Sequence, residues 1–227
     1  MAHGFRFNEI NLKHNLFNKW INILSAFFRK WLTFFPALVA QYFSGEWLTF
    51  FLTIAFQPSL REKEIIALSS LDFIEKKENV IFLGPPGVGK THLSVALGIK
   101  ACMAKYRVAF ITAQKLLEEL MLSARDGSLA DKLLGYSRLN LLVIDELGYM
   151  PVSKEQANLL FRLVSMRYEK GSIILTSNYN FNEWGEIFSD QVVAAAIIDR
   201  LVHHARIYYI NGTSYRLKGK LKAANNR

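Results

Sequence analysis

The chain has 227 residues, 51% of them hydrophobic, and carries a formal net charge of +9. That length fits one domain plus an appendage, the apolar content supports a real core, and the charge suits a polyanionic partner. Cys102 is the only cysteine, which excludes disulfides and cysteine-ligated zinc within one chain and leaves it as a small buried hydrophobe.

Residues 1–55 hold fourteen aromatic residues and only seven charges, unlike anything that follows. The stretch WLTFFPALVAQYFSGEWLTFFLTIAF invites a membrane reading, but its first uncharged run, 31–45, is shorter than the roughly 18–20 residues a span needs. Pro36, Gly45 and Glu46 interrupt it, and Arg29 and Lys30 follow four earlier charges, a poor secretory signal. The expectation is therefore no membrane attachment and a cytoplasmic location. The abrupt change near Phe56 also fits a frame-shifted or rearranged beginning joined to an intact sequence.

Ser59-Leu-Arg-Glu62 reads as a capping box opening a helix toward Lys77. Val80–Leu83 is an apolar run, and Leu93, Ala96, Leu97, Lys100 and Ala101 mark a helix after it. Between them lies GPPGVGKT, the phosphate-loop pattern in its strand-to-helix context. Gly84, Pro85, Pro86, Gly87, Val88, Gly89, Lys90 and Thr91, with His92 beside them, are expected to bind nucleotide. Glycines let backbone N–H groups wrap a phosphate, and the helix N-terminus favours its charge. Lys90 is expected to reach the β and γ phosphates of ATP, and the Thr91 hydroxyl to ligate Mg2+. A plain glycine-rich turn is the bland alternative.

A second apolar run covers 108–111. Leu141–Ile144 reads as a buried strand ending in Asp145 and Glu146. Asp145 is placed to hold Mg2+ and Glu146 to take a proton from water, which argues for hydrolysis rather than transfer to a small acceptor. The same pair could instead open a solvated turn. Ser153-Lys-Glu-Gln156 opens a helix expected to close at Gly171, and 173–176 is a further apolar run followed by Asn178. Asn178, an amide at a strand's C-terminal edge, is suited to positioning a water. His203 and His204 on one helix would point about 100° apart, so a structural role is preferred to a shared metal. With a last run at 207–210, the alternation predicts an α/β fold: a parallel five-stranded sheet with helices on both faces. The ending YRLKGKLKAANNR is basic without an acid and fits either a solvated tail or phosphate contacts.

From about Phe56 to about Lys220, three long stretches containing these motifs resemble the IstB-like helper ATPases of bacterial insertion sequences. These are relatives of DnaC-type helicase loaders in the AAA+ class of P-loop NTPases. The resemblance implies a division into an atypical segment 1–55, an AAA+ ATPase domain 56–220 and a basic tail 221–227. It implies a protein that binds ATP and double-stranded DNA, oligomerises and helps a partner transposase capture target DNA; the surplus of basic residues makes phosphates the main expected DNA contact. By position it makes Asn178 the sensor of the γ phosphate, Arg200 an arginine finger acting on a neighbouring subunit, and Arg216 a second-sensor arginine. Either arginine could instead form a surface ion pair. Family members begin with a charge-rich helical domain, from which residues 1–55 depart. A replicative helicase loader is the close rival, although LGYMP and EWGEIF favour the transposition helper. A non-catalytic, membrane-bound adaptor is the alternative of a different class.

Overall fold

Each apolar run carries hydrophobic residues, aliphatic or aromatic, on both of its faces, which suits a strand covered from two sides. The computed structural model describes residues 62–212 and Ser214. Among these, β1 (Asn79–Leu83), β2 (Val108–Thr112), β3 (Leu141–Leu147), β4 (Ser172–Ser177) and β5 (Ala205–Tyr209) form one sheet of order β2-β3-β4-β1-β5. Every pairing is parallel. The segment 1–55, the start of the Ser59 capping box, Arg216 and the tail 221–227 lie outside the described residues.

The period of two along a strand sorts the core into two layers. Ile81 and Leu83 of β1, Leu142 and Ile144 of β3, and Ile173 and Leu175 of β4 join one buried cluster. Its cover comes from α4 (Ala113–Arg125), α6 (Lys154–Arg167) and α8 (Gln191–Val202), through residues such as Leu116, Leu163 and Ile197. Val80 and Phe82, Leu141 and Val143, and Ile174 face the other way. They meet α1 (Glu62–Ser69), α2 (Asp72–Glu75) and α3 (Lys90–Met103) through Leu68, Phe73, Leu93 and Leu97. Helices α5 (Leu129–Ser137) and α7 (Trp184–Ile187), the latter preceded by a 3-10 turn at Phe181–Glu183, complete the order among the described residues. The expected α/β fold, a five-stranded parallel sheet between helices, is what the chain forms.

Two helix boundaries differ from expectation. The helix expected to run toward Lys77 breaks after Ser69, because Leu71 takes a left-handed φ of 63° and the Ser69 and Ser70 hydroxyls donate to the Ile66 and Ala67 carbonyls. The Ser153 capping box forms as read, with Ser153 Oγ accepting from Gln156 N–H at 3.2 Å and Gln156 Oε1 from Ser153 N–H at 3.0 Å. That helix ends at Arg167 rather than nearer Gly171. The buried Arg167 guanidinium donates to the carbonyls of Tyr136, Leu139 and Ser172. A Cβ at Gly171 would come within 2.8 Å of both that guanidinium and the Leu139 carbonyl, so glycine is needed here for space. No helix among the described residues is long and apolar enough to cross a membrane.

Candidate nucleotide site

The loop Gly84–Gly89 leaves the C-terminal end of β1 and delivers the chain into α3, whose first residue is Lys90. Its path depends on glycine at two close approaches. A Cβ on Gly84 would lie 2.1 Å from the Ile210 carbonyl oxygen, and one on Gly87, at φ 80°, 2.2 Å from Ser214 Oγ. The chain after β5 therefore runs directly against the loop. Pro85 and Pro86 are exposed and Val88 is buried. The N-terminus of α3, the positive end of its helix dipole, begins where the loop ends.

Lys90 is buried, and its ammonium donates to the carbonyls of Gly84 at 2.5 Å and Pro85 at 2.8 Å and to Asn178 Oδ1 at 2.7 Å. Asn178 follows the last residue of β4, next to β1, so strand order brings it to the loop. One strand further, Asp145 is buried and accepts at a single oxygen, Oδ1, from Thr91 Oγ1 at 3.1 Å and Thr176 Oγ1 at 2.5 Å. Burial pushes the Asp145 carboxyl above the usual aspartate range, against the two hydroxyl donors and Lys90, which favour its charged form. Glu146, beside it, is exposed and has a left-handed φ of 62°.

That conformation comes from a bulge. Ile144 pairs with Leu175 and Leu147 with Ser177, so β3 spends three steps where β4 spends two. Strict alternation would turn Glu146 toward the same core layer as Leu142 and Ile144. The extra residue lets Leu147 take that place and leaves Glu146 outside. The Glu146 N–H donates to Thr176 Oγ1 at 2.9 Å. Sequence reading missed Thr176 and Ser214, because what marks them is their contact with distant residues and neither lies within a motif.

The remaining expected residues lie elsewhere. His92 is half-buried in the first turn of α3. Arg200 sits in the last turn of α8, its guanidinium 4.4 Å from the centre of the Phe161 ring and donating to the Ala196 carbonyl at 3.3 Å. It lines a cleft with Asn79, the first residue of β1, and so lies at the end of the sheet away from the phosphate loop of its own chain. Cys102 is half-buried as a small apolar group, and burial pushes its thiol up. The two histidines do not diverge as a helix would require. α8 ends at Val202, and the imidazoles of His203 and His204 meet edge to face, 4.3 Å between centres. His203 Nδ1 bonds the Tyr168 hydroxyl at 2.7 Å and His204 Nε2 the Glu169 carboxylate at 3.1 Å.

A parallel sheet with a phosphate loop after β1, carboxylates at the end of β3 and, between them, β4 leading into Asn178 defines an α/β fold of P-loop type. The fold is similar to that of the DnaC helicase loader, with a TM-score of 0.55 at 22% identity, covering 69% of this chain and 94% of that one. It is also similar to the replication initiator DnaA, with a TM-score of 0.56 at 21% identity, covering 74% and 53% of the respective chains. Residues 51–223 match the family of IstB-like ATP binding proteins, and the chain belongs to that family. It is 51% identical over 168 residues to the insertion sequence IS21 ATP-binding protein of Pseudomonas aeruginosa, across 74% of this chain and 63% of that one. With the IS5376 ATP-binding protein of Geobacillus stearothermophilus it shares 46% identity over 164 residues, 72% of this chain and 65% of the relative. The chain thus spans less than two thirds of the length of these two relatives.

Proposed function

We propose that the chain is an Mg2+-dependent ATPase that binds double-stranded DNA, assembles with copies of itself and helps a partner transposase capture target DNA. The observation that carries this is one convergence: Lys90, Asn178, Asp145, Thr91 and Glu146 meet at the C-terminal ends of β1, β3 and β4, beside a helix N-terminus. Thr91 and Asp145 suit Mg2+, since a hydroxyl and a carboxylate are hard oxygen donors already turned toward each other. Bound there, the ion would supply positive charge that offsets the phosphates' negative charge.

The chain's own groups divide the remaining work. The loop amides and Lys90 hold the β and γ phosphates, and Asn178 orients the attacking water beside the γ phosphate. Glu146, exposed beside the buried Asp145, accepts the proton from that water. Arg200, far from its own loop, is suited to a neighbour's nucleotide. Family membership favours a transposase over a replicative helicase as partner, and the charge of +9 favours contacts to DNA phosphates. Within this reading, residues 56–220 form the ATPase domain, while 1–55 and the basic tail 221–227 are appended to it.

The test is release of phosphate by the full chain with Mg2+, with and without duplex DNA, beside a Glu146→Gln variant. The amide keeps shape but cannot take the proton. Turnover that DNA raises and Glu146→Gln removes, with ATP still bound, supports the reading. Equal turnover by both chains would reject Glu146 as the base.

A further inference from the structure

Thr176 lies in β4, wholly buried, two residues before Asn178, and its hydroxyl is used twice. It donates to Asp145 Oδ1 at 2.5 Å and accepts from the Glu146 N–H at 2.9 Å. One oxygen thus ties the side chain of the carboxylate suited to the cation to the backbone of the residue suited to be the base. The second bond falls at the bulge, where β3 and β4 slip out of register and the regular ladder cannot serve Glu146. A left-handed glutamate is strained, and such a conformation persists only when its surroundings hold it.

We propose that Thr176 is a positioning residue for ATP hydrolysis, holding Glu146 in its outward, left-handed conformation while orienting Asp145 toward Thr91. This rests on the hydrolytic reading given above. Residue 146 in regular alternation would face the core layer that Leu147 occupies, and its carboxylate could not reach a water beside the γ phosphate. The Thr176 hydroxyl fastens the bulge that prevents this. Because the same oxygen donates to Asp145, Thr176 sets the direction of Oδ1, the atom that also accepts from Thr91. Removing the hydroxyl should therefore disturb two things together: the placing of the base and the response of nucleotide binding to Mg2+.

Thr176→Val keeps the shape and removes the hydroxyl, whereas Thr176→Ser keeps the hydroxyl. Three quantities are measured on the full chain: kcat and KM for ATP, affinity for a labelled ATP analogue over a Mg2+ titration, and the thermal midpoint without ligand. Expected for Thr176→Val is a fall in kcat of about 10- to 100-fold, the usual cost of losing an outer partner of a ligand. KM should change much less, and the Mg2+ titration should shift to higher concentration. Thr176→Ser should restore both kcat and the Mg2+ response. If Thr176→Val does not fold, Thr176→Cys takes its place with a weaker donor and acceptor, and kcat should fall between the serine and wild-type values on one side and inactivity on the other.

A folded Thr176→Val or Thr176→Cys with wild-type kcat and Mg2+ response would overturn the proposal. So would a Thr176→Ser as impaired as the valine, which would trace the effect to packing of the methyl. Failure of the hydrolytic reading looks different: wild type and Glu146→Gln then turn over equally, and the positioning role falls with it.

Discussion

At the level of single residues, the loop Gly84–Gly89 lies between β1 and α3 and the Asp145-Glu146 pair near the end of β3, each set there by near neighbours. A glycine-rich turn between an apolar run and a helix, and acids ending a strand, are local patterns. Thr176 was not legible, since its role arises where β3 and β4 lose register, and no spacing within the chain records that. Nor was the meeting of His203 and His204, which depends on α8 stopping at Val202. In the proposed reading nucleotide binding rests on Lys90, whose buried ammonium lies at the loop. Hydrogen bonds to charged groups contribute about 1.5–3 kcal/mol each. Lys90→Ala should therefore weaken a labelled ATP analogue on the order of 100-fold by fluorescence titration. Undiminished affinity would mean that the loop does not hold the phosphates.

Among the elements, all five strands fall within about three residues of the apolar runs read from sequence, since strands covered on both faces tend to be continuous hydrophobic blocks. Helix ends were read less well. The Leu71 break has no glycine or proline to signal it. This same region fastens the edge strand β5: Arg206 donates to Asp72 Oδ2 at 3.0 Å and to Glu78 Oε2 at 2.6 Å, and Lys76 also bonds Asp72 at 3.0 Å. The Arg206 guanidinium, then Lys76, holds the Asp72 carboxyl well below the ordinary aspartate value of 3.8. A depressed folded value means that the stabilisation is fully present above the ordinary value and is lost as pH falls through the lower, folded one. Wild type should be more stable than Asp72→Asn near neutral pH, with the difference in thermal midpoint shrinking as pH falls below about 4. A difference that stays constant down to about pH 2 would show that the charge pair contributes nothing.

On the scale of the whole molecule, sequence yielded fold and family but could not place Arg200 relative to the loop, because that is a question of which end of the sheet α8 reaches. It ends beside Asn79, at the opposite end from the loop, as a residue serving a neighbour's site would. DNA affinity, if carried by phosphate contacts, should fall linearly on a logarithmic plot against salt and vary little between scrambled duplexes. An affinity indifferent to salt would remove the electrostatic account. Hydrolysis shared between subunits is the central claim, and mixing two inactive variants tests it most directly. Arg200→Ala keeps Glu146 but lacks the proposed finger, and Glu146→Gln keeps Arg200 but lacks the proposed base. A finger supplied in trans raises turnover by about 10³-fold or more. Mixed in the presence of ATP and DNA, the two should regain measurable phosphate release, from interfaces where one chain's Glu146 faces the other's Arg200. No recovery, with mixed oligomers shown to form, would contradict a site completed by the neighbouring chain.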